Sequence, residues 1–200
     1  MRRASGALLA LCLLAGCAGV APIPADIHVP LPAVIGARAE APAALAGGVW
    51  RVAPFTAAGP YLERAVVYSD DDGKTLQQHP YQFWLDTPAR MCRDGLLEFL
   101  RSAGGARVVA SADPAATFEV RGRLLAFDRL LDDAGSTARL ALALELVDTD
   151  TREVRLSRRY EERQLAAAND AGGVAAAAAV ALDRLYRRFL AEAGQVGVTR

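Results

Sequence analysis

The residues of this 200-residue chain whose types could do chemistry are three cysteines, two histidines and a few clustered carboxylates. His28 lies in a proline-rich stretch and His79 stands beside Pro80 in a segment that reads as a loop. Neither sits near a serine or cysteine in a nucleophile–base motif, and no Gly-x-Ser-x-Gly elbow occurs. The Cys-x-x-Cys and His-Glu-x-x-His spacings that gather a metal are absent, and no glycine-rich phosphate loop follows a strand. Ser69 to Gly73, SDDDG, invites a calcium reading, but Tyr68 stands where an EF-hand loop needs an acid. Asp132-Asp133 and Asp148/Asp150 fall at turns, where aspartate serves the backbone. Arg158-Arg159 reads as the solvated side of a strand, with an anionic lipid or a partner as the other reading. No catalytic residue, metal or cofactor is expected, and the chain reads as a non-enzyme. Cys92 falls on the apolar face of a helix and reads as a small buried hydrophobe.

Cys17 is different. Arg2 and Arg3 precede the unbroken apolar run Ala7–Leu14, and the small residues Ala15 and Gly16 lead into the cysteine. That is the layout of a secretory signal, too short for a bilayer span. Leu14-Ala15-Gly16-Cys17 resembles the bacterial lipobox, in which the cysteine thiol takes a diacylglycerol and becomes the new N-terminus. Several fatty chains such as palmitate on Cys17 would anchor the protein stably without a transmembrane helix. The following residue is Ala18 and not the aspartate that retains such proteins at the inner membrane, so the expected location is the periplasmic face of the outer membrane.

The organisation follows from that cut: a signal over 1–16, a lipidated Cys17 with an Ala/Pro-rich tether over 17–46, and one folded domain over 47–194. Arg2 and Arg3 leave with the signal, so 23 basic residues become 21 against 23 acidic, a formal net charge of −2. A chain so balanced lacks the basic face that nucleic acid requires. With Cys12 removed and Cys17 acylated, Cys92 has no partner for a disulfide. Five prolines between 22 and 42 keep the tether from forming a helix, although Ile27, Val29 and Leu31 alternate and could lie on the domain.

Within the domain, Val49–Phe55, Ala65–Tyr68, Tyr81–Leu85 and Arg107–Ala110 read as short strands. Thr87-Pro88 opens a helix with Cys92, Leu96, Phe99 and Leu100 on one face, stopped by Gly104-Gly105. Phe118, Val120 and Gly122 alternate with Glu119, Arg121 and Arg123. Leu140, Leu142, Leu144 and Leu146 alternate with Arg139, Ala141, Ala143 and Glu145, and Val154, Leu156 and Tyr160 continue the period. A period of two with one polar side predicts an antiparallel three-stranded meander over 116–163, turned at 132–136 and 148–152. A helix over 170–193 carries Val174, Ala178, Leu182, Leu185 and Phe189 on one face, and its twelve-residue apolar stretch before Asp183 is too short to cross a membrane. The expected fold is α/β: a two-layer sandwich, its mixed sheet ending in an antiparallel meander, with two main helices on one face.

The order WRVAPF, then GPYLERAVVYSDDDGKTLQQHPYQFWLDTPARMCRDGLLEFL, is similar to the ABC-type transport auxiliary lipoprotein family. Pro54, Tyr61, Leu62, Glu63 and Arg64 match its Val-x-Pro strand and Tyr-Leu-Asp-Arg-like motif, with Glu63 where aspartate is commoner. Trp84, Pro88 and Leu96 fit the aromatic segment and the helix after it. The likeness spans roughly 47–192, whereas the tract 18–46 departs from the pattern in giving the family's first strand no assignable place. The resemblance implies a lipid-anchored, non-catalytic auxiliary component of an ABC/Mce-type system moving lipids or other hydrophobic solutes between membranes. Its partners would be the membrane, through the anchor, and Mce-domain or ABC transporter subunits. A homo-oligomer is left open. Tyr61, Leu62 and Arg64 are candidate partner contacts, with core packing the other reading of Tyr61 and Leu62. The alternative function is a lipoprotein that assists envelope assembly or regulates a cell-wall synthase.

Overall fold

In the computed structural model, residues 23–33 and 48–196 are described. The signal, Cys17 and part of the expected tether lie outside them. Eight strands form one mixed sheet: β1 (Ile27–Val29), β2 (Val49–Val52), β3 (Ala65–Ser69), β4 (Gln77–Trp84), β5 (Arg107–Val109), β6 (Phe118–Asp132), β7 (Gly135–Asp148) and β8 (Val154–Leu165). Two helices, α1 (Pro88–Ala103) and α2 (Ala171–Gln195), pack on it. The α/β class, the two helices and the C-terminal meander expected from the alternation are all present.

Strand β6 organises the sheet. One edge pairs with β7 along its length, and β7 pairs with β8, both antiparallel. The other edge is shared. Its first part pairs in parallel with β2, Trp50 opposite Phe118 and Val52 opposite Val120. Its last part pairs in parallel with β3, Val67 opposite Asp128. Outside these lie β5 next to β2, and β4 then β1 next to β3. A bulge between Leu124 and Ala126 adds one residue to β6 and reverses its alternation. Val120 and Leu124 face the helices before the bulge, and Phe127 does so after it.

The core is the apolar side of this sheet against the helical stripes. Leu140, Leu142, Leu144 and Leu146 are at most 1 % exposed, as are Cys92, Leu96 and Phe99 of α1 and Leu182, Leu185, Tyr186 and Phe189 of α2. Each such leucine contributes about 1.5–3 kcal/mol by leaving water. The Tyr186 hydroxyl donates to the Cys92 carbonyl at 2.6 Å and ties the helices together. Asp170 caps α2, accepting from the Gly173 amide at 2.7 Å. Thr87 stands at the α1 cap position without a side-chain cap bond, and its own amide donates to Asp86 instead.

Several boundaries differ from expectation for local reasons. The first domain strand ends at Val52, because the chain turns so that the Phe55 ring covers Gly122, where a Cβ would come within 2.5 Å of ring carbons. That contact explains a glycine in an otherwise apolar row. Strand β4 begins at Gln77, so His79 lies in a strand and not in a loop. Residues 27–29 of the expected tether form an edge strand, with Val29 buried opposite Trp84 and His28 stacked on Phe83. Val154 starts β8 but is 48 % exposed, so the apolar row of that strand begins at Leu156.

Candidate docking site

The Tyr-Leu-Glu-Arg stretch is held by a short 3-10 turn, Gly59–Leu62, with Pro60 in its first turn and Gly59 at φ 60°. Its four residues divide by side. Tyr61 points inward, 6 % exposed, and its hydroxyl donates to Asp128 Oδ1 at 2.5 Å. The other carboxylate oxygen, Oδ2, accepts from Arg139 Nε at 2.7 Å and from the Arg139 Nη2 group. Burial first, then the Asp128 carboxylate, pushes the Tyr61 phenol well above its ordinary range, so it is a fixed donor at neutral pH. With Tyr61 anchored, Leu62 is left 59 % exposed, and Glu63 and Arg64 face solvent.

Backbone pairing brings more residues to this end of the sheet. The Trp84 amide donates to the Arg64 carbonyl at 2.6 Å, and the Leu85 amide to the Val29 carbonyl at 2.9 Å. The start of β3, the end of β4 and the end of β1 therefore meet, setting Leu85, 60 % exposed, at the same sheet end as Arg64. Beside Leu85 opens a shallow cleft of about 270 Å³ between the 30–33 segment and α1, floored by Leu31 and Met91 and edged by Asp86, Asp94 and Glu98. Arg90 pairs with Asp86 at 3.2 Å and Asp94 at 3.8 Å. The arrangement offers apolar contact with a charged border, the anatomy of a protein-binding rim.

Asp128 and Arg139 escaped sequence reasoning, which placed Arg139 on a solvated face. The signal was a lone acid inside the apolar run LLAFDRLL: a charge there needs a buried partner. Of the partner candidates, Leu62 and Arg64 reach the surface and Tyr61 does not. Cys17 lies outside the described residues. Cys92 is fully buried, and burial pushes its thiol far up, leaving it a poor nucleophile.

The acidic turns serve the backbone. Asp132 accepts from the Ala134 and Gly135 amides, and Asp148 from those of Asp150 and Thr151. Asp71 accepts from Ser69 Oγ and the Thr75 amide, which holds its carboxyl well below the usual range. Among the described residues no group of three His, Cys, Asp or Glu could hold a metal, and no helix is long and apolar enough to cross a membrane.

Residues 31–189 match the family of ABC-type transport auxiliary lipoprotein components. The chain belongs to this family. The match begins 16 residues before the likeness read from the motifs, inside the stretch expected as tether, where the structure places Leu31 against the core. Among the solved structures that share the fold seen here are two from bacteria. XCC0632 of Xanthomonas campestris, described as DUF330, is 16 % identical over 86 % of this chain and 94 % of its own, with a TM-score of 0.66. The CT253 protein of Chlamydia trachomatis is 13 % identical over 76 % of this chain and 98 % of its own, with a TM-score of 0.50. At such identities the likeness is one of fold. No curated protein matches the chain.

Proposed function

We propose that this auxiliary lipoprotein is a non-catalytic adaptor of an ABC/Mce-type system that carries lipids or similar hydrophobic solutes between the two membranes, held by lipids on Cys17 at the periplasmic face of the outer membrane. The observation that carries the reading is the family match over 31–189 in a chain whose Leu14-Ala15-Gly16-Cys17 fits the lipobox. Anchoring confines the domain to one surface and raises its effective concentration for a partner there. Leu62 and Arg64, projected by the Tyr61 anchor, are the contacts proposed for the transport subunit, with Leu85 beside them.

Cys17→Ala tests the anchor. The variant should leave the membrane fraction for the soluble periplasm and lose function while the domain still folds. Full function of the released protein refutes tethering. Capture of membrane partners by the intact chain tests the system: Mce or ABC subunits support the reading, and a cell-wall synthase or assembly factor refutes it. Leu62→Asp with Arg64→Glu should abolish that capture at unchanged melting temperature, since both side chains are exposed. Undiminished capture removes the turn from the docking surface.

A further inference from the structure

Strand β8 runs for 12 residues at the border of the sheet and pairs on one edge only, with β7. Among the described residues nothing pairs with its other edge. Such an edge presents a row of backbone donors and acceptors, and charged side chains commonly discourage a second strand from joining it. The charges on β8 are arranged differently. Its centre reads Arg158-Arg159-Tyr160-Glu161-Glu162, two cations and two anions placed symmetrically about one tyrosine.

We infer that β8 is an interface for a second copy of this chain, joined antiparallel across a two-fold axis at Tyr160. In that register residue numbers of opposed partners sum to a constant, so Arg159 faces Glu161 of the other copy and Arg158 faces Glu162, each twice. Directly opposed residues of antiparallel strands share a face, and opposite charges there attract where like charges repel. A random scatter of charges blunts an edge, whereas this one is complementary to itself, as a two-fold interface requires. The inner pair is the accessible one: Arg159 is 65 % and Glu161 39 % exposed, and the bridge they already make within one copy at 3.2 Å is a surface pair of small worth. In the outer pair Arg158 is 66 % exposed and only loosely paired with Glu192 at 3.7 Å, whereas Glu162 is 16 % exposed and already bridged to Arg188, so Arg158 of the other copy would join that bridge rather than meet a free carboxylate. Tyr160 at the axis is fixed by its hydroxyl bond to Glu192 at 3.0 Å and by Arg188 over its ring. The product is one continuous sheet of two eight-stranded halves, with both helical layers on one side. Strand β1, nearest the membrane anchor in sequence, lies on the opposite side of the sheet and is left free.

Charge reversal tests this, using the full chain purified from membranes in detergent and its mass measured over a micromolar to millimolar series. The wild type should reach two copies. R158E/R159E and E161R/E162R each place like charges across the axis and should weaken association roughly tenfold or more. An equimolar mixture of the two variants restores every pair and should form the mixed dimer. A wild type that stays single throughout the series overturns the inference, as does association of both variants at wild-type strength, which would put the interface or a ring contact elsewhere. Failure of the folded variants to recover on mixing does the same. Amide exchange on the wild type covers a variant that fails to fold: alternate amides of 154–165 should slow as concentration rises, and rates independent of concentration overturn the pairing.

Discussion

Tyr61 shows how a family motif can owe its first residue to packing and its later ones to contact. The phenol, the Asp128 carboxylate and the Arg139 guanidinium form a set in which both carboxylate oxygens are used, one by the phenol and one by the guanidinium. Removing the carboxylate leaves a largely buried cation and an unmet hydroxyl, so Asp128→Ala should cost about 3–5 kcal/mol, measured by urea unfolding. Alkaline pH should act on the same group. The folded phenols of Tyr61, Tyr160 and Tyr186 ionise above the ordinary 10.0 because burial disfavours their anions. Their stabilisation is complete below pH 10.0 and is lost as pH rises from there through the folded values, where the unfolded chain releases its protons first. The buried Cys92 thiol adds the same sign from its ordinary 9.0 upward. Melting temperature should therefore fall above about pH 9–10, and Tyr61→Phe should flatten that fall. An equally steep fall in Tyr61→Phe would assign the effect to other groups. The inward half of the motif was hard to read from sequence, because period counting assigns a face to strand residues but none to a turn, and Tyr61 sits in a turn.

At the level of elements, alternation and helical spacing carried most of the information. The Leu140–Leu146 row and the Cys92, Leu96, Phe99 stripe lie where their periods put them, since each has a single apolar side that only one arrangement buries. Leu144→Ala should cost about 2–5 kcal/mol, read from the same unfolding curves. The features that were missed are those with no period. The bulge after Leu124 is one inserted residue, and its neighbours Leu124, Leu125 and Ala126 are all apolar, so no polar residue marks the change of face. The stacking of Phe55 on Gly122 joins residues 67 positions apart, which no local window sees. Gly122→Ala should lower the melting temperature by driving Cβ into that ring, and adding Phe55→Ala should return part of the loss. Strictly additive effects of the two changes would show that the ring is not the obstacle.

For the whole molecule, the sheet gives the alternation of Ile27, Val29 and Leu31 its place. Prolines at 24, 30 and 32 exclude a helix but permit a three-residue edge strand, and the partner that Val29 packs against, Trp84, lies too far along the chain for the sequence to name. A chain beginning at residue 48 should thus be less stable than one beginning at 23, with Trp84 newly wetted. Its intrinsic fluorescence should shift to longer wavelength, and identical melting curves for the two would make β1 dispensable.

The division of β6 between β2 and β3 has a consequence for the order of events in time. The meander β6–β7–β8 closes through two short turns and can form quickly on its own sequence. Everything before it waits: β2 with β5, and β3 with β4 and β1, have no common seat until residues 118–132 exist. More than half of a chain made from its N-terminus is therefore synthesised before any of its first five strands can find its seat on β6. Slow growth, or a pause before residue 118, should raise the yield of trapped and aggregated material more than the same pause after residue 165.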